Sequence, residues 1–210
     1  MTKKPEPPRP VRNRPMPPEE GGFIPAPEVK QWVQDHLLAE DGSLHNPDHQ
    51  HLTYADWEVL WAPRGFPSKG RTVIGQAEEV AFRCNAWQRE RQEQQMAQWF
   101  GRVPDYLITL DASYCATCDD TSWCALVEHE LYHIAHATDE FGAPAFTRDG
   151  APKLAIHSHD VEEFVGVVRR YGVGAPDGRL AELVRVGNQQ PEISRVALAG
   201  ACGTCLRRVA

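Results

Sequence analysis

The sequence has no apolar run approaching the roughly 20 residues that a membrane-crossing helix needs, so no span is expected. It also lacks a basic excess. Lys and Arg number 22 against 29 Asp and Glu, a formal charge of −7, which argues against nucleic acid as a partner. Its first residues, MTKKPEPPRPVRNRP, carry charge without an apolar h-region, so a secretory signal is not expected and the chain reads as cytoplasmic. In a reducing compartment, six cysteines suit metal ligation or buried thiols better than a disulfide framework.

Proline, by contrast, is plentiful and unevenly placed. Of 17 prolines, nine fall within residues 1–27, a stretch with few large apolar groups that cannot offset its ordering entropy. The expected organisation is therefore a disordered Pro-rich arm (1–27), one α+β domain (28–187) and a C-terminal tail carrying C-x-x-C (188–210). Within the domain, a helix is expected from Glu28 to Leu38, followed by a polar loop containing His45, His49 and His51, which is a weak metal signal in a turn-rich context. WEVLW (57–61) and RTVIGQA (71–77) read as two paired strands, Glu79 to Phe100 as a helix closed by Gly101, and Asp105 to Asp111 as a third strand. A second long helix is expected from Thr121 to Ala137 with Asp119, Asp120 and Thr121 to cap it, then a hairpin at Asp149-Gly150. A third helix is expected from Ser158, with a Val161, Phe164, Val165, Val168 stripe and Gly172 as its stop. Cys84 and Cys124 fall in apolar helical patterns and read as core residues.

Inside VEHELYHIAHA lies H-E-x-x-H: His129, Glu130 and His133. Side chains four apart on a helix stack one turn above another, so both imidazoles can reach one ion, while Glu130 on the adjoining side can serve as general base. Apolar neighbours Leu126, Val127, Leu131 and Ile134 imply a buried helix, in which such polar groups need partners. Catalytic zinc takes three protein ligands and keeps one position open. The block IHSHDVEEF offers His159 as the preferred third ligand, with His157, Asp160 and Glu163 as alternatives. Asp160 is also a candidate acceptor for a ligating imidazole, and Glu162 reads as a helix-dipole complement. His157, His136, Tyr132 and Tyr171 are candidate donors to a developing oxyanion.

Several blocks in order, HLTYADWEVLWA, VIGQAE, QWFGRVPDYLITLDA, WCALVEHELYH and HDVEEFVGVVRRYG, resemble the phage metallopeptidases, a zincin-like family, from about His49 to Gly172. The resemblance implies a zincin-like domain with a small mixed or antiparallel sheet and an active-site helix, Zn2+ on His129, His133 and His159, and Glu130 as catalytic acid/base. The substrate would be a peptide or protein. The alternative reading is a noncatalytic zinc-binding adaptor for a host or phage protein. Cys115, Cys118, Cys202 and Cys205 form two C-x-x-C pairs whose spacing could grip a second, structural zinc, against a simpler reading as free thiols.

Overall fold

The computed structural model describes residues 11–19, 21–68, 70–161, 168, 172–174 and 177–191. Its centre is a mixed four-stranded sheet in the order β1-β2-β6-β5, built from β1 (Ile24–Pro25), β2 (Trp57–Ala62), β5 (Gly75–Glu79) and β6 (Tyr106–Asp111). β2 and β6 run parallel through six residue pairs, whereas β1 and β5 pair antiparallel at the two edges. Such a parallel pair needs a crossover. The chain between β2 and β6 supplies it, with a two-stranded ribbon of β3 (Phe66–Ser68) and β4 (Arg71–Val73), then β5, then helix α2 (Ala86–Phe100).

The strands at 57–62 and 71–79 therefore do not pair with each other as the sequence suggested. Residues 71–77 divide at Ile74 between the β3–β4 ribbon and β5, and β2 takes β6 as its neighbour instead. Alternating burial specifies which face a strand turns inward but not which strand lies beside it. The helix expected from Glu79 to Phe100 is likewise shorter at its start, because Glu79 ends β5 and the Asn85 side chain caps α2 by accepting from Gln88 N. Gly101 closes it in the left-handed region, φ 74°, as its position predicted. No residue of α2 is buried; Trp87 is 81% exposed, and Cys84 is exposed rather than in the core.

One face of the sheet turns Trp57, Val59, Trp61, Ile108 and Leu110 into a core closed by α1 (Pro27–Val33) and α4 (Asp120–Tyr132). α1 contributes Val29, Trp32 and Val33, and continues through a wide turn, Gln34–Leu38, that buries Leu37 and Leu38. Trp32 and Trp123 meet edge to face with ring centroids 4.8 Å apart, joining the two helices. Among the described residues of the stretch expected to be a disordered arm, β1 pairs with β2, Trp32 Nε1 donates to the Arg12 carbonyl, and the Arg14 guanidinium donates to the Cys115 and Cys118 carbonyls. Among the described residues no helix is long and apolar enough to cross a membrane.

After β6, a short helix α3 (Ala112–Thr117) begins on Asp111, whose side chain accepts from Ser113 N and Tyr114 N. α4 follows, then a hairpin of β7 (Ile134–His136) and β8 (Leu154–Ile156), and finally α5 (Arg179–Gly187). The hairpin closes near Asp149-Gly150, where Gly150 has φ 79° and its N–H reaches the Thr147 carbonyl. The helix expected from Ser158 to Gly172 lies mostly outside the described residues, and residues 157–159 form an irregular segment after β8.

Candidate functional site

α4 carries the histidines. Its start is fixed by Asp119, which accepts from Ser122 N at 2.9 Å and from Ser122 Oγ at 2.8 Å. Trp123, Val127 and Leu131 recur at a four-residue spacing and, with Leu126 and Glu130, are buried. The helix stops at Tyr132, five residues before the end that its sequence pattern suggested. The physical reason is tertiary. His133 N closes the last turn on the Glu130 carbonyl, and Ile134, Ala135 and His136 find strand partners in Ile156, Ala155 and Leu154.

This early stop brings the segment after β8 back to the end of α4. His157 N donates to the His133 carbonyl at 2.8 Å, and His133 Nδ1 reaches the His157 carbonyl at 2.6 Å. With Nδ1 as the donor, Nε2 of His133 carries the lone pair. Nε2 of His129 lies 3.3 Å from that of His133, and Nε2 of His159 lies 3.3 Å from that of His129. The three ligand atoms fall within 4.8 Å of one another. Two nitrogens bound tetrahedrally at zinc distances stand about 3.3–3.4 Å apart, so the donor set fits a small tetrahedral ion. His129 and His159 are partly exposed and His133 is 3% exposed, so the triad opens on one side.

That side is a cleft of about 990 Å³ whose wall includes Tyr132, the β7–β8 strands, His157 and Asp160, with Arg179 and Leu183 of α5 at its margin. Glu130 is fully buried on α4 beside Gly75 of β5. Of the other ligand candidates, Asp160 and His157 are exposed in the cleft and are not part of the triad; Glu163, Glu162 and Tyr171 lie outside the described residues. A backbone carbonyl, that of His157, orients the His133 imidazole. Among the candidate donors, Tyr132 Oη is bound to Asp48 and Asn46, and burial pushes its pKa up to about 12. His136 Nε2 is bound to the Ala145 carbonyl.

The loop LHNPDHQH becomes a 3₁₀ helix, Pro47–Tyr54, capped by Asn46. It supports the site from behind. His49 is fully buried with its ring against Tyr132, 4.4 Å between centroids, and 3.6 Å from Glu128. Asn46 donates to Glu128 at 2.8 Å, and His51 Nε2 meets the Ile134 carbonyl at 2.6 Å. These contacts grip α4 and β7 on either side of His133. The sequence offered a signal for them, the closely spaced histidines, but their partners are about 80 residues away.

The first C-x-x-C pair lies in α3 and at its C-terminal end. Cys115 is buried in α3, burial pushes its thiol pKa up, and Cys118 Sγ lies 4.0 Å from Arg14 Nη1. Cys202 and Cys205 lie outside the described residues.

Fold and triad define an α+β protein with a histidine cluster able to hold a metal ion. The chain belongs to the family described as "putative phage metallopeptidase", whose family model matches residues 30–186. That description implies a metal and a protein substrate. No curated protein and no solved structure matches the chain.

Proposed function

We propose that this protein is a zinc peptidase in which His129, His133 and His159 hold the metal and Glu130 moves the proton. The observation that carries the reading is the spacing of the three Nε2 atoms at the end of α4, beside an open cleft and next to a buried carboxylate. Zinc bound there would acidify a water molecule and polarise the scissile carbonyl. The chain's own groups supply the rest. The His157 carbonyl holds the His133 ring in orientation, and the cleft accepts an extended peptide along the strands that wall it. The Glu130 carboxylate takes the proton of the attacking water and delivers it to the leaving amine.

The test combines metal analysis with cleavage of a peptide library. His129→Ala and His133→Ala are expected to lose the metal, whereas Glu130→Gln keeps it and loses hydrolysis. Full peptidase activity in Glu130→Gln would falsify the mechanism. A stoichiometric zinc with a fourth protein ligand and no cleavage of any peptide would favour the adaptor instead.

A further inference from the structure

Gly75 is the first residue of β5, paired with Leu110 of β6, and β5 is one of the two edge strands of the main sheet. α4 lies against it through Leu126 and Glu130, one turn apart on the same helix face. A methyl group on the Gly75 Cα would stand 2.6 Å from Glu130 Oε1, 3.1 Å from Glu130 Cδ and 2.8 Å from Leu126 Cδ1. The first and last of these are shorter than side chains in folded proteins tolerate, so something must move. The backbone at Gly75 does not lie in the left-handed region, so glycine is not required there for its conformational freedom. What glycine provides is space.

We propose that Gly75 is a positioning residue for Glu130: its missing side chain forms the recess in which the carboxylate is seated. Glu130 is 0% exposed, so its side chain has little room to rearrange except by leaving that recess. The atom nearest the added methyl is the far end of a flexible side chain. Gly75→Ala therefore folds, and its effect falls on where the carboxylate sits rather than on whether the sheet forms. None of the closest neighbours of the methyl belongs to a triad imidazole, so metal affinity is expected to stay near that of the wild type. The catalytic arm of this inference rests on the peptidase reading; the packing arm does not.

Two measurements test it on the zinc-loaded full chain. In peptide cleavage, Gly75→Ala is expected to lower kcat ~10–100-fold, the scale of a misplaced catalytic group, with KM and bound zinc nearly unchanged. Glu130→Asp shortens the side chain by one methylene, so the further loss from Gly75→Ala in that background should be smaller than in the wild type. In thermal unfolding, Gly75→Ala should lower Tm more in the wild type than in Glu130→Ala, where the carboxylate is gone. The effect of Gly→Ala on the unfolded chain is common to both backgrounds and cancels. An equal Tm shift in the two backgrounds would overturn the proposal, as would wild-type kcat in Gly75→Ala. If the wild type cleaves nothing, the peptidase reading fails by itself, and the unfolding cycle still decides whether Gly75 seats the carboxylate.

Discussion

At His133 one imidazole is fixed from two directions, by its own position closing α4 and by the His157 carbonyl 2.6 Å from Nδ1. His159 reaches the triad from the irregular segment after β8. His159→Ala is expected to weaken zinc by more than the ~10–100-fold that loss of an orienting partner typically costs, which competition against a chelator would measure. An affinity equal to that of the wild type would remove His159 from the site. His51 carries a pH dependence. Its pKa is lowered chiefly by burial, with repulsion from His49 and His136 adding to the shift and its hydrogen bond to the Ile134 carbonyl opposing it. Between the ordinary value of 6.5 and that lower value, the unfolded chain binds a proton that the folded imidazole refuses. Its contribution to stability is therefore complete above pH 6.5 and is lost as pH falls through the window. Urea unfolding from pH 7.5 to 5 should show a shallower slope in His51→Gln than in the wild type.

On the scale of elements, α4 and the β7–β8 hairpin build the site jointly. Ile134 is fully buried at their junction and pairs with Ile156, two residues after which the chain reaches Ser158 and then His159. Ile134→Ala removes no ligand. It is expected to cost about 2–5 kcal/mol of stability as a buried Ile-to-Ala change, and to weaken zinc because the hairpin loses its seat. Urea unfolding and zinc titration on the same variant would check both, and unchanged affinity would show that the hairpin does not hold His159 in place. At the other end of α4, Asp119 satisfies the Ser122 N–H. Asp119→Ala should lower Tm while leaving zinc affinity nearly intact, since the cap lies almost three turns from His129.

For the whole molecule, a metal on the triad would tie the end of α4 to a segment some 25 residues further along the chain, so ligand binding adds directly to stability. At free zinc 100-fold above its dissociation constant the gain is about 2.7 kcal/mol, and chelation should lower Tm accordingly. One metal per chain, on the triad, is the expected stoichiometry. A second equivalent that disappears on truncation after Leu198 would instead reveal a site shared by the two C-x-x-C pairs.

The sequence by itself determined what depends on neighbours along the chain. The H-E-x-x-H spacing, the Asp119 cap, the Gly101 stop, the β6 strand and the turn at Asp149-Gly150 are local signals, and each has its counterpart in the structure. His159 was legible as a candidate because a zinc triad needs a third donor, yet nothing in its spacing from His133 places it 3.3 Å from His129. Tertiary structure alone decided that β2 lies parallel to β6, that α4 ends at Tyr132 in favour of a strand, and that a backbone carbonyl orients His133. It also decided that a glycine on an edge strand leaves room for Glu130. The common reason is range. Capping and turn energies act within a few residues, whereas strand partners, carbonyl acceptors and steric recesses are supplied by segments that only folding brings together.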